Sequence, residues 1–520
     1  MKRILEELKE YKRIGVAVGG FTCFLFSFFM INQLTNTYDG FWKQSYYIAG
    51  DHETSNGRWL WPYTDRIRYG IHVDPISSMI SIAFFVLGFI FVLLALDVKN
   101  SMFTCLLGGM VLFSSPIFSS IMAYRFNSGV YSMAFLFAAF AAYACSKFAG
   151  DFSAIAISSL FIALSMGLYQ SYAGSFCLVG LLVVICLAIR DDVQIKEILV
   201  KMGRFLGSFI IGGVLYYVLL LIHLKVRGNV LEDYNGVDSV SFGYIIMSLP
   251  KSAKKTYNML GQYLGTDIMT VNTLDKFHFR TVFNVVLITA FLLFVFLRLV
   301  KSKDNKLSRI VIVILCVLLT PLGINVASIL APDAGTMPQM FFAFALFSSL
   351  LFMLIIDRFL SESEKKTRYC TAFLTILVVG AIYGQSAQVL IDHSAMHDGY
   401  LATTTLAQGV LDDLRREGAL SPEKSYFFIG SPAYNETFCR TECFNRANEY
   451  AKVGAFWLEQ SNMYAAYKAI FSKLLGYNLN VLNDPYESKA YDEYFKPLPC
   501  YPNEGYITNW DTVIIKISEP

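Results

Sequence analysis

Long apolar runs separated by short polar breaks fill the first three quarters of the chain. Each run is about 20 residues long, the length a helix needs to cross a bilayer. They fall at about 14–33, 75–96, 101–121, 130–148, 152–169, 172–189, 205–223, 281–299, 310–330, 340–357 and 369–390. Proline interrupts two of them, at Pro116 and at Pro321-Leu322-Gly323. The pattern predicts a mainly α, polytopic membrane helix bundle of about 11 spans over 1–390.

Beyond that boundary the pattern changes. An amphipathic helix is expected over 398–416, with Leu401, Leu406, Val410, Leu411 and Leu414 as its apolar stripe and Gly418 as its stop. Segments 425–430 and 512–517 read as buried strands, and 456–471 as a helix. Residues 391–520 are therefore expected to form an external C-terminal α/β domain.

Charge supplies the orientation. The basic breaks carry Arg190, Lys196, Lys201 and Arg204; Arg298, Lys301, Lys303, Lys306 and Arg309; and Arg358, Lys365, Lys366 and Arg368. Such breaks face the cytoplasm. Residues 1–13 read as an interfacial helix on that side. The N-terminus is then inside and the tail outside, in a multi-pass cytoplasmic (inner) membrane protein. Segment 241–263 reads as an interfacial helix or a re-entrant hairpin.

Only 16% of residues are charged and 55% are hydrophobic, against about 25% charged in soluble domains. The net charge of +3 carries no further signal and points to no nucleic acid. Of the ten cysteines, Cys439, Cys443 and Cys500 lie in the polar tail, where a disulfide is conceivable but its pairing is open. His393 and His397 stand at i, i+4 without a third ligand nearby. The residues call for no cofactor and no bound metal, and leave a divalent ion open. Asn435-Glu436-Thr437 matches the glycosylation pattern, with nothing else in the chain to support it. There is no Gly-rich phosphate loop for ATP.

The candidate chemistry lies in 37–74, the break after the first run. It holds three of the five tryptophans, Trp42, Trp59 and Trp61, with Asp39, Asp51, Glu53, Asp65 and Asp74. Arg58, Arg66 and Arg68 lie among them. Asp39 stands close to the end of the first run, so its carboxylate can hang over the membrane surface as a general base. Asp51 and Glu53 are alternates, flanked by Gly50, Ser55, Asn56 and Gly57 as in an ordinary exposed loop. Arginine offers a planar fork of donors to a phosphate. Arg58 is the first candidate, then Arg66 and Arg68, then Arg125 at a neighbouring break. Lipid headgroups are an equal reading for Arg66 and Arg68. Trp42 and Trp59 offer faces for a sugar, although tryptophan also favours membrane interfaces for its amphipathic ring. Tyr169-Gln170 closes a tight hairpin whose amide can bind a sugar hydroxyl or simply cap the turn.

Tyr38-Asp39, Gly57-Arg58-Trp59 and Leu168-Tyr169-Gln170 resemble the GtrII-type glucosyltransferases of bacterial O-antigen (lipopolysaccharide) modification, members of the GT-C superfamily. The similarity covers the membrane region and extends into the tail. The resemblance implies an inverting hexosyltransferase, GT-C-like in fold, with a catalytic carboxylate at Asp39. Its donor would be undecaprenyl phosphate carrying a hexose, glucose by the family's habit, and its acceptor a surface glycan. A companion flippase and donor synthase would supply the donor. Related loops often have a second acid beside the first, where this chain has Gly40. Relatives also tend to carry an arginine before the tenth run, where this chain has Met337-Pro338-Gln339.

Two other classes stay in view. A flippase or transporter for lipid-linked glycans predicts polar residues buried mid-span and paired halves, and neither is evident. An O-antigen polymerase predicts key charges in large external loops, and 225–280 keeps that reading alive.

Overall fold

The computed structural model describes all residues except 1, 44–45, 99–101, 233–241, 267–278, 303, 334–336, 361–364, 439–440, 456–462, 484–493 and 520. It is mostly helical. Among the described residues, eight helices are long and apolar enough to cross a membrane, or nine when one bent pair is taken as a single span. The bent pair is Met102–Phe113 and Pro116–Ala123, which meet at 57°. Pro116 starts the second helix, where its missing N–H is no loss, and Ser115 caps it by accepting from the amide of Ile117.

Two of the 11 runs expected from the sequence are not among these candidates. The first is divided into Lys12–Leu25 and Ser27–Ile31, and the tenth is the 18-residue helix Phe342–Phe359. Phe26 and Phe29 of the divided run are fully buried.

Ile76–Leu96 packs on Arg125–Lys147, which in turn packs on Asp151–Leu168. Gly88 allows the first close approach. A Cβ there would lie 2.7 Å from the Phe135 ring and 3.3 Å from the Leu136 Cα. Small residues let helix backbones come together in this way, and hydroxyls join them. Ser158 donates to the carbonyl of Ala141 at 2.8 Å, Ser165 to that of Ala134 at 2.7 Å and Ser349 to that of Gly108 at 2.7 Å.

The basic breaks gather at one end of the bundle. The buried Arg309 donates to the carbonyls of Ala188, Arg190 and Val193 at 2.7–2.9 Å, closing the helix that ends at Ala188. Arg358 donates to the carbonyls of Leu96 and Asp97 in the same way. At this end Tyr143 also donates to Glu7 of Lys2–Glu10, where the interfacial helix was expected. Of segment 241–263, residue 241 lies outside the described residues and the rest belongs to one helix, Phe242–Thr266, with Pro250 inside it.

Lys365–Arg416 is a single 52-residue helix that runs through position 390 without a break. At about 1.5 Å per residue it is longer than any bilayer core. Its last turns carry Leu406, Val410, Leu411 and Leu414 buried, while Leu401 is exposed. Gly418, at φ +59°, ends it in a left-handed turn. The tail then forms a sheet in the order β2-β1-β4-β3, from β1 (Ser425–Ile429), β2 (Asn480–Val481), β3 (Ile507–Asn509) and β4 (Thr512–Lys516). β1 runs parallel to β2 and β4, and β3 is antiparallel to β4. Part of the helix expected over 456–471 is present as Met463–Ala469, followed by a π turn, Ile470–Leu474; 456–462 lie outside the described residues.

Cys443 and Cys500 are free, and Cys439 lies outside the described residues. Asn435 of the glycosylation pattern is buried and structural, donating to the carbonyls of Tyr501 and Ile517. His393 packs between the rings of Phe26 and Phe29. No group of three or more His, Cys, Asp or Glu that could hold a metal is found among the described residues.

Candidate active site

The 37–74 loop folds as three short helices, Tyr38–Trp42, Asp51–Ser55 and Trp61–Ile67. Arg125 ties its two ends together. The guanidinium meets the Asp74 carboxylate at 3.0 Å and donates to the Gln33 carbonyl. Both paired side chains are buried, and Ser78 adds a hydroxyl donor to Asp74 at 2.6 Å. A second pair sits inside the loop, where Arg68 meets the fully buried Asp65 at 2.5 Å. Burial raises the Asp65 carboxyl above its ordinary range despite Arg68 and the Ala49 amide.

Asp39 lies in the first turn of Tyr38–Trp42 and is about one third exposed. Its partner is Lys43 at 3.5 Å, one turn on. The Lys43 ammonium also lies over the rings of Tyr47 and Phe126, at 4.7 and 4.6 Å. Beyond it Glu53 is buried, reached by the Tyr47 hydroxyl and by the Gly50 amide at 2.9 Å. Burial opposes ionisation of Glu53, but those two hydrogen bonds and nearby Lys43 outweigh it, so its carboxyl sits below the usual range.

Arg58 lies over the ring of Tyr169 at 4.7 Å and near that of Trp61 at 5.7 Å. Burial, then the Asp39 carboxylate and Tyr169, push the Tyr124 phenol up. The 3-10 turn Pro338–Met340 closes over Tyr124, whose hydroxyl donates to the Met337 sulfur at 3.8 Å. Gln339 is buried there and accepts from Ser120 at 3.4 Å.

Asp39, Glu53, Arg58 and Tyr169 are linked by a run of contacts, Asp39 to Lys43, Lys43 and Glu53 to Tyr47, the Tyr47 ring to Trp61 at 6.4 Å, and Arg58 to Trp61 and Tyr169. Gln170 flanks them in a structural role, donating to the Asn56 carbonyl at 2.9 Å and to the Tyr216 hydroxyl at 3.1 Å. Trp59 is 5% exposed, stacked on His223 at 4.9 Å and fitted against Gly167. It fills the core instead of offering a face. Trp42 is 41% exposed and keeps an open edge. Asp51 is exposed and paired with Arg227 at 3.1 Å, and hydrogen bonds from Asn229 and Arg227 lower its carboxyl. Arg66 is exposed and makes no part of the cluster.

Lys43, Tyr47 and Tyr124 are additions that the sequence reading missed. The i, i+4 spacing of Asp39 and Lys43 is a signal that would have found one of them. The missing second acid also has a physical cause. A side chain on Gly40 would collide with Thr35, whose hydroxyl donates to the Ala123 carbonyl at 3.0 Å.

No curated protein and no solved structure matches the chain. A family model described as Glucosyl transferase GtrII matches residues 28–356, which takes in the whole first loop, the Tyr169-Gln170 hairpin and the turn at Gln339. The match ends before Lys365–Arg416, so the tail, expected to share the resemblance, lies beyond it. With more than half of its length matched, the chain belongs to the GtrII glucosyl transferase family.

Proposed function

We propose that the chain transfers glucose from a polyprenyl phosphate to a hydroxyl of a surface polysaccharide such as O-antigen, or of its lipid-linked precursor. The reaction belongs at the outer face of the cytoplasmic membrane, with the basic end of the bundle inside and the tail outside. The observation that carries the reading is the pairing of Asp39 with Lys43, linked through Tyr47 and Trp61 to Arg58.

The chemistry follows from these groups. The Asp39 carboxylate accepts the proton of the acceptor hydroxyl as that oxygen attacks the anomeric carbon. The bond from that carbon to the phosphate oxygen breaks, and the lipid phosphate leaves with the electron pair. Attack opposite the leaving group inverts the anomeric centre, as expected of a GT-C enzyme. Arg58 is aimed at the developing charge on the departing phosphate. Lys43 orients the Asp39 carboxylate through their ion pair, and Glu53 fixes the loop behind it through Tyr47. Arg125 is spent on Asp74, which makes it a positioning residue. Residues 1–390 form the catalytic unit and 391–520 the domain that receives the acceptor.

Transfer of labelled glucose from polyprenyl-phosphate-glucose by the purified full chain tests the reading. Asp39→Asn should lower kcat by about 10²–10⁴-fold with melting unchanged. Full transfer by a normally folded Asp39→Asn chain removes the base assignment. Movement of labelled lipid across vesicles without any transfer removes the enzyme reading.

A further inference from the structure

Trp42 stands at the seam between the first loop and the tail. Tyr38–Trp42 packs against Met463–Ala469 and the π turn that follows, and Phe41 meets Tyr400 at 6.1 Å. Two ammonium groups from the tail lie over the Trp42 ring, Lys468 at 5.7 Å and Lys473 at 5.3 Å. Among the described residues, neither lysine has an ion-pair partner.

The backbone has an unusual form at this point. Residues five apart on an α-helix point about 140° away from each other. Ile470–Leu474 is π-helical, with i→i+5 bonding that brings positions five apart toward one face. That local widening lets Lys468 and Lys473 reach the same ring. Two unpaired cations converging on an aromatic face repel each other, and an anion between them relieves that repulsion. The ring adds a platform for the apolar face of a sugar.

Asp39 lies one turn before Trp42 in Tyr38–Trp42. Residues at i, i+3 of a helix share a face, about 5–6 Å apart at Cβ. A sugar ring seated at Trp42 therefore lies within one residue of the carboxylate that would activate a hydroxyl.

We propose that Trp42, Lys468 and Lys473 form an acceptor subsite for an anionic saccharide, one bearing a carboxylate or phosphate near the hydroxyl that is glucosylated. The proposal rests on the glycosyltransferase reading for its role, but its test does not depend on turnover.

The full chain in neutral-lipid nanodiscs is titrated with a short oligouronate and, separately, with a neutral oligosaccharide of the same length. The oligouronate should bind more tightly, with the advantage shrinking as salt rises. Lys468→Gln/Lys473→Gln should weaken oligouronate binding about tenfold and leave the neutral glycan unaffected. Lys468→Arg/Lys473→Arg should restore it, and melting temperature should be the same in all three chains. Equal binding of the two glycans overturns the subsite, as does oligouronate binding that survives the double Gln substitution. Affinity that appears only with anionic-lipid nanodiscs also overturns it, assigning the lysines to headgroups. Failure of glucose transfer alongside intact oligouronate binding would strike the proposed reaction and leave the anion site standing.

Discussion

The hydroxyl of Thr35 occupies the space that a side chain on Gly40 would need. Thr35 cannot easily withdraw, because it donates to the Ala123 carbonyl across the site at 3.0 Å. The first loop is thereby committed to one acid, Asp39, at this position. Gly40→Asp should cost about 1–3 kcal/mol of stability through overpacking. Thr35→Ala in the same chain should recover part of that loss, while Thr35→Ala alone should not stabilise. Thermal melting of the four chains decides it.

Arg125 and Arg58 should separate by readout. Arg125→Ala leaves the buried Asp74 carboxylate without its cation. Breaking a buried pair costs about 3–5 kcal/mol, so this chain should melt early or fail to accumulate. Arg58→Ala should melt close to the parent but transfer glucose far more slowly. An early-melting Arg58→Ala with normal specific activity would place Arg58 in the scaffold instead.

Gly57 takes φ +82°, and a Cβ there would lie 2.5 Å from both the Gln170 amide nitrogen and the Tyr216 hydroxyl. Gly57→Ala is strained twice, by backbone and by contact, at a cost of about 1–3 kcal/mol. Gln170→Ala added to it should relieve only the Gln170 contact, leaving that with the Tyr216 hydroxyl and the backbone strain. A double variant as stable as the parent would show that the backbone conformation carries no penalty.

The loop should weaken in acid. Burial, with Arg68 and Arg125 close by, lowers the His72 pKa from 6.5 to about 3. The unfolded chain binds a proton that the folded chain refuses, so this contribution is complete above pH 6.5 and is lost as pH falls toward 3. The lowered carboxyl of Glu53 adds a loss at lower pH, as the pH falls through its folded value. Asp65, raised by burial, acts in the opposite sense and favours the acid side. The melting temperature of the parent should therefore drop relative to His72→Gln as pH falls from 6.5 toward 4.5. A gap that stays constant over that range would mean that His72 titrates normally in the folded chain.

Much of the bundle was legible because spanning a bilayer imposes a length and a composition that survive in any one segment. The strands at 425–430 and 512–517 were legible for a similar reason, since both are short apolar runs in a polar tail. Helix continuity was not. Nothing in the local pattern separates a break at Phe26 from the unbroken passage through 390, because both depend on what packs alongside. Asp39 and Arg58 could be picked out by residue type and company. That Trp59 is core and Trp42 open could not, since a tryptophan beside a membrane reads the same in either role.

What the sequence determined by itself was a series of long apolar helices, their basic breaks, and a polar, aromatic first loop with five acids. Those properties belong to single segments and need no partner. The tertiary structure alone decided that Arg125 closes the loop on Asp74, that Thr35 excludes a second acid at Gly40, and that the tail sets Lys468 and Lys473 over Trp42. Each of those depends on groups far apart in the chain meeting at contact distance. Ion pairing, exclusion and stacking act only over a few ångströms, so packing assigns them and segment pattern does not.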